Sequence, residues 1–175
     1  MIYIETQRLL LRDWKEEDIE PFAVLNSDTE VMRYFLQPLT AEESVAFYRR
    51  MKDEFIQYGY GLYAIEKKDD GAFIGFTGFH NITFEVNFAP GIEIGWRIRQ
   101  EDWNKGYVTE AAQACLAYAQ KRLPFKLVWS FTSLRNKASQ RVMQKIGMEK
   151  AGEFLHPNVP NGHPLKEHVL YRIAL

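Results

Sequence analysis

Between Gly91 and Ala119 the hydrophobic period switches from about two residues to about 3.6, and this restricts the fold more than any other feature of the chain. Ile92, Ile94, Trp96 and Ile98 alternate with Glu93, Gly95 and Arg97, the pattern of a strand rich in β-branched and aromatic residues. From Val108 onward Ala111, Ala112, Cys115, Leu116 and Ala119 recur at helical spacing, which predicts a helix from about Gly106 to Lys121. The polar turn Gln100 to Gly106 joins the two. A strand feeding a turn that opens a helix presents unpaired N–H groups and the positive end of a dipole. Phosphate is the usual occupant of such a place, although an ordinary connection between strand and helix makes the same local demands.

Around this junction the chain reads as strands interrupted by helices. Ile4 to Trp14 reads as one opening strand, with Leu9 and Leu11 facing away from Leu10. Asp18 begins an acidic first helical turn in which Pro21 is tolerated, and Phe22, Leu25 and Val31 continue a short helix or helix pair. Thr40 and Glu43 have the spacing of a capping box. The helix they open carries Val45, Tyr48, Met51 and Phe55 on one side and stops near Gly59. Gly59, Gly61 and Ala64 have the spacing of a dinucleotide fingerprint, but a helix precedes them and a strand follows, the reverse of what that motif needs. Leu62 to Glu66 and Phe73 to Ile82 are strands joined by a hairpin turn. After the long helix, Lys126 to Thr132 is a strand. Asn136 caps a second helix with Ala138, Val142 and Ile146 inward, and Gly147 ends it. Lys150 to Leu155 and Leu165 to Ala174 pair as closing strands. This order implies an α/β domain built on a mixed, partly antiparallel sheet.

At 175 residues the chain is expected to form one domain, residues 1–175, with a substantial core. Hydrophobic content of 46% excludes a disordered chain, and a net charge of −1 argues against a broad nucleic-acid surface. No apolar run reaches the roughly 18 residues of a membrane span, and Met1 to Glu5 lacks the basic start of a signal peptide. Cys115, the lone cysteine, falls on the apolar face of a helix and reads as a small core residue. These features suit a cytoplasmic protein that contacts neither membrane nor nucleic acid directly. His156, His163 and His168 have no cysteine or paired carboxylate at ligand spacing, so no metal is expected. Neither a P-loop nor a Gly-x-Ser-x-Gly elbow occurs, which argues against a P-loop NTPase and an α/β-hydrolase.

The string Trp103-Asn104-Lys105-Gly106-Tyr107-Val108-Thr109-Glu110-Ala111 resembles the acetyl-CoA pyrophosphate loop of the GNAT superfamily of N-acetyltransferases. Within it the string is similar to the branch that acetylates ribosomal-protein N-termini (the RimJ/RimL type). Ile92 to Trp96, Asn136 to Ser139 and Lys145 to Met148 fit the same family in the same order. The resemblance implies a mostly antiparallel central sheet whose middle strands splay apart to admit the cofactor, with helices on its flanks. It also implies acetyl-CoA as acetyl donor, no metal, and an amine acceptor that is a protein N-terminus or a small amine. It leaves room for a homodimer, and for a catalytically silent acyl-CoA-binding or regulatory domain of the same fold.

Acetyl transfer from a thioester to an amine needs an anchored cofactor, a neutral amine, a donor to the oxyanion and a proton for the leaving thiolate. On the resemblance, backbone N–H groups across Lys105, Gly106, Tyr107, Val108 and Thr109 cradle the diphosphate, and Lys105 adds charge. Trp96, Arg97 and Ile98 pair with the pantetheine arm as an added strand would. Asn136 contacts the same arm, or does no more than cap its helix. Glu93 is the first candidate base, with an alternative as a structural carboxylate held by Arg97. Glu153 resembles a second base used in the ribosomal-protein branch, while His80 and His156 are weaker candidates. The position where many relatives carry an acid tyrosine is Met143, which cannot donate a proton, and the resemblance to the ribosomal-protein branch, which uses the serine of Asn-x-x-Ser, makes Ser139 the candidate acid. Trp14, Tyr34, Phe35, Phe47, Tyr48 and Tyr58 read mainly as core. Tyr34 and Phe35 are also placed to wall the acceptor pocket, because substrate loops in this fold come from the first helices.

Overall fold

The computed structural model describes residues Met1–Leu175. The opening segment is two strands, β1 (Ile2–Glu5) and β2 (Leu9–Arg12), instead of the single one its alternation predicts. Thr6 closes the turn between them. Its amide donates to the Leu9 carbonyl at 2.9 Å, and its hydroxyl accepts from the Leu9 amide at 2.9 Å, so the chain reverses without glycine or proline. Leu9 and Leu11 are sealed in the core as expected.

A short 3₁₀ turn, Glu16–Asp18, leads into α1 (Ile19–Ser27). Asp18 is there to hold Arg12, whose two terminal nitrogens donate to its carboxylate at 2.7 and 2.9 Å, with both residues buried. α2 (Ala41–Tyr58) begins with the Thr40–Glu43 capping box, at 3.1 and 2.8 Å, and stops at Gly59 in the left-handed region. Next come β3 (Leu62–Lys67), β4 (Phe73–Asn81), β5 (Ile92–Ile98), α3 (Tyr107–Arg122) and β6 (Leu127–Ser133). The chain closes with α4 (Lys137–Lys145), β7 (Glu149–Leu155) and β8 (Glu167–Ala174).

The eight strands form one sheet in the order β1-β2-β3-β4-β5-β6-β8-β7. Every neighbouring pair is antiparallel except β5 and β6, which run parallel and stay in register only at Ile92↔Val128 and Glu93↔Trp129. The main core lies between the sheet and α3, where Ala111, Ala112, Cys115 and Ala119 let the helix approach Ile94 and Ile98 closely. Cys115 is fully buried there, and burial pushes its thiol far above the usual range, as suits an inert packing residue. On the opposite face α1 and α2 cover an aromatic cluster of Trp14, Phe22, Tyr48 and Phe76. A third cluster, Ile82, Phe88 and Leu170 with Trp129 and Phe131, sits under the loop before β5.

α4 differs from expectation in its inward face. Ala138 is exposed, and Met143, at 1% exposure, takes the place expected for it beside Ile146. Val142 and Ile146 still pack against the core, so the inward face is made by the later turns and the first turn carries Ala138 clear of it. No helix is long and apolar enough to cross a membrane.

Candidate active site

A wedge opens where β5 and β6 lose register beyond Glu93 and Trp129. Along it, Ser130 Oγ donates to the Ile94 carbonyl at 2.9 Å, and the Trp103 indole donates to the Ile98 carbonyl at 2.9 Å. Both carbonyls therefore point away from β4. Strand alternation turns the N–H and C=O of Trp96 the same way, so the free edge of β5 lines the wedge. The backbone of Arg97 lies between these positions and faces β4 instead, so the structure brings Trp96 and Ile98, but not Arg97, to this edge.

At one end of the wedge stands the N-terminus of α3. Gly106 precedes it at φ +80, a left-handed conformation that any side chain would strain by about 1–2 kcal/mol. The amides of Gly106, Tyr107, Val108 and Thr109 find no acceptor in the chain, while the Glu110 amide begins the helical ladder by donating to the Gly106 carbonyl at 3.0 Å. The β1–β2 turn braces this junction. Glu110 accepts from Thr6 Oγ1 at 2.7 Å and from the Arg8 amide and Nε at 2.9 and 2.6 Å. Arg8 also donates to the Lys105 carbonyl at 2.9 Å and lies 4.4 Å over the Tyr107 ring. Burial opposes ionisation of Glu110, but the Thr6 hydroxyl and the Arg8 amide and guanidinium together outweigh it and hold the carboxyl below its ordinary range. Lys105 Nζ lies 3.6 Å from the buried Asp102, which Arg99 also binds. A surface groove of about 560 Å³ runs beside the junction between Gly106, Thr109, Gln113 and Lys145.

The wall on the α4 side is a hydrogen-bonded cluster. Asn136 Oδ1 caps the helix by accepting from the Ser139 amide at 3.1 Å. Its Nδ2 donates to Thr132 Oγ1 and to Ser139 Oγ, each at 3.0 Å. Trp96 Nε1 also donates to Ser139 Oγ, at 3.3 Å. A serine hydroxyl has two lone pairs and one proton. With both lone pairs occupied, the proton of Ser139 points away from these two donors. The structure thus brings together Trp96, Asn136 and Ser139.

Glu93 lies on the other face of β5. It is directly opposite His80 on β4, and His80 Nε2 lies 3.0 Å from its carboxylate. Burial opposes charge on His80, but Glu93 outweighs it and raises the imidazole above its ordinary range. Glu93 is therefore held by His80, and not by Arg97 as its place on the same strand face suggests. Arg97, four residues on, donates to Asn26 Oδ1 of α1 and lies against the rings of Phe35, Phe76 and Phe47. Glu153 is elsewhere. Its register with Val169 and Thr132 puts it on the sheet face opposite Glu93, half-exposed and paired with Lys150 Nζ at 2.5 Å. His156 packs against His168 among Phe84, Phe131 and Phe154, where burial and the neighbouring His168 depress it to about 4.

Sequence reasoning missed Arg8, Asp102, Asn26 and Thr132. Arg8 and Glu110 are 102 positions apart, and no local pattern joins them. Thr132 carried a usable signal, since it lies four residues before Asn136 at the end of a strand.

The family description "Acetyltransferase (GNAT) domain" matches residues 8–149. The chain is 31% identical to the N-acetyltransferase YnaD of Bacillus subtilis, itself uncharacterised, over 98% of this chain and 96% of that protein. It is also similar to a GNAT-family acetyltransferase of Bacillus anthracis, 29% identical with a TM-score of 0.81 over 99% of this chain and 98% of that one. RimL, a ribosomal-protein N-acetyltransferase solved with coenzyme A, shares the fold at a TM-score of 0.82 and 16% identity, over 100% of this chain and 98% of its own. The mixed sheet, its parted middle strands and the matched residues lead to one conclusion: the chain belongs to the GNAT family of N-acetyltransferases.

Proposed function

We propose that the protein takes acetyl-CoA as donor and transfers its acetyl group directly to a primary amine, of a protein N-terminus or a small molecule. The observation that carries this reading is the wedge between β5 and β6, with a free strand edge along it and free helix amides at its end. A pantetheine arm pairs with the backbone of Trp96 and Ile98 as a short added strand. The diphosphate rests on the amides of Gly106 to Thr109, where the helix dipole favours its charge. Lys105 stands beside it as a point charge, partly neutralised by Asp102.

In the reaction the amine nitrogen attacks the thioester carbonyl carbon, and a tetrahedral oxyanion forms. A β5 amide in the wedge is the donor to that oxygen. The amine's proton passes through water to Glu93, whose carboxylate His80 orients from across β4. As the carbon–sulfur bond breaks, Ser139 protonates the departing sulfur with the hydrogen that Trp96 and Asn136 leave free. Solvent then restores the serine. Glu153 faces away from Glu93, which supports Glu93 for the role of base.

The reading is tested by following thiol release from acetyl-CoA across a panel of peptides and small amines, together with a structure grown with coenzyme A. It requires amine-dependent release and a nucleotide seated at Gly106. Binding without turnover on any amine leaves the silent domain standing, and a nucleotide lodged elsewhere overturns both readings.

A further inference from the structure

Arg97 carries a charge set among aromatic rings for which the chain provides no counter-charge. The Arg97 guanidinium is drawn under α1 and the segment before α2, with the ring centres of Phe35, Phe76 and Phe47 at 4.5, 5.4 and 5.9 Å from its central carbon. Nη1 donates to Asn26 Oδ1, which belongs to a fully buried residue. Nε is out of reach of solvent and has no acceptor, and Nη2 donates to no group of the chain. No carboxylate supports the charge, and burial alone pulls the group down to about 10.

The unused nitrogens are informative in their arrangement. Nε and Nη2 form one flat edge of the guanidinium, the edge that takes both oxygens of a carboxylate in parallel hydrogen bonds. The site is not sealed. Arg97 keeps part of its surface open, Nη2 is not sealed off as Nε is, and Phe35, whose ring lies 4.5 Å from the guanidinium, is 47% exposed, so an anion entering from the Nη2 side reaches Nε by displacing that ring. Burying a cation without a partner costs several kcal/mol in general. A stability role is better served by an apolar residue among these rings, so an incoming anion is the economical explanation.

Its position selects the molecule that brings the anion. Glu93, Gly95 and Arg97 alternate along one face of β5, on the side covered by α1 and α2. Gly95 leaves bare backbone between the other two, for a Cβ there meets only Glu93 Oε1 and His80 Nε2, both at 3.9 Å. A carboxylate, a gap and a cation thus follow one another over four residues, which is roughly 13 Å at the rise of a strand. We propose that the acceptor is an amine that also carries a carboxylate on the order of 10 Å from its nitrogen, bound across Gly95 with the amine toward Glu93 and the carboxylate on the Nε–Nη2 edge of Arg97. A single guanidinium walled by rings matches one negative charge, which favours a carboxylate over a phosphate. The inference rests on the proposed acetyl transfer and specifies its substrate class.

The test compares di-, tri- and tetraglycine with their C-terminal amides, which keep the same amine and lose the charge. With acetyl-CoA saturating, kcat/KM for the tripeptide acid is expected to exceed that for its amide at least tenfold, chiefly through KM. Arg97→Met is expected to bring acid and amide within about threefold of each other, and Arg97→Lys to restore part of the preference through charge without the fork. Gly95→Val is expected to raise KM for every peptide by filling the gap. A second readout is the Arg97 Nε–H resonance of the coenzyme A complex, expected to shift on titration with triglycine but not with triglycinamide. Equal kcat/KM for acids and amides in the unaltered protein overturns the carboxylate assignment while leaving acetyl transfer intact. An Nε–H signal that ignores triglycine overturns it even without turnover. A shifted signal with no thiol release on any peptide supports the anion site and counts against acetyl transfer instead.

Discussion

Replacing Ser139 with alanine separates chemistry from architecture at the wall of the wedge. The hydroxyl accepts from Asn136 Nδ2 at 3.0 Å and from Trp96 Nε1 at 3.3 Å. Removing it costs the Trp96 indole its one acceptor, while Asn136 Nδ2 keeps Thr132 Oγ1 at 3.0 Å. At roughly 0.5–1.5 kcal/mol per hydrogen bond, the fold is expected to lose about 1–3 kcal/mol. The catalytic effect is distinct in size and in kind. General acids contribute roughly 10²- to 10⁴-fold, but a thiol with a pKa of about 8.5 leaves readily, so the expected fall in kcat lies near or below the lower end, about 10- to 100-fold. That fall corresponds to about 1.4–2.7 kcal/mol of transition-state stabilisation. The assay is thiol release at saturating acetyl-CoA and amine, with coenzyme A affinity measured by calorimetry and folding by urea denaturation. KM for acetyl-CoA is expected to move less than about threefold. A folded Ser139→Ala protein that keeps kcat within about twofold refutes the proton assignment, as does a loss that appears wholly in cofactor affinity.

Other expectations concern the base, the acceptor side and the phosphate cradle. Glu93→Gln is expected to lower kcat/KM about 10- to 100-fold, whereas Glu153→Gln, on the far face, changes it less than about twofold; the reverse pattern overturns the assignment of the base. His80 is raised above its ordinary range, so the stability of its pair with Glu93 is fully present below about pH 6.5 and is lost as pH rises through the folded value. Over that same upper window kcat/KM is expected to rise, because the carboxylate is freed from a charged imidazole, and a flat profile there refutes the coupling. His156 behaves in the opposite sense: burial first, then His168, lowers it to about 4, so the unfolded chain binds more protons between about pH 6.5 and 4 and stability falls across that window, measurably in urea titrations at stepped pH. Gly106→Glu adds about 1–2 kcal/mol of backbone strain and sets a carboxylate near the diphosphate, worth about 2–4 kcal/mol of repulsion at roughly 5 Å. Coenzyme A affinity is expected to fall roughly 30- to 1,000-fold, and an unchanged affinity would remove Gly106 from the cofactor site.

The parts legible in the sequence were those set by local physics. The capping box at Thr40 and the change of period at Gly106 each depend on a few neighbouring residues, and both appear where the pattern places them. The first strand was misread because a threonine side chain, instead of a glycine or proline, makes its turn. Ala138 was misread because Val142, Met143 and Ile146, farther along α4, make its inward face and the first turn stands clear of the core. The surroundings of Glu93 were out of reach for a different reason. Along the strand Arg97 is the nearest opposite charge on the same face, yet four residues of extended chain put it about 13 Å away. His80 sits directly across the ladder, but that register is set by the loop between β4 and β5, whose length does not reveal which residues it brings opposite one another. Arg8, which braces the α3 N-terminus, depends on contacts across 97 and 102 positions.

The short parallel seam bears on how far such a protein can be stabilised. β1 to β5 and β6 to β8 are two plates of one sheet, fastened edge to edge at two residue pairs and bridged by the Ser130 bond to Ile94. Each backbone group left unbonded along the parting is cohesion forgone, and on the proposed reading the same groups grip the substrate arm. On that reading an engineer who zips the plates together for heat resistance would gain a sturdier sheet and close the place of the substrate arm, whereas one who reinforces α3 or the outer strands would leave the opening untouched.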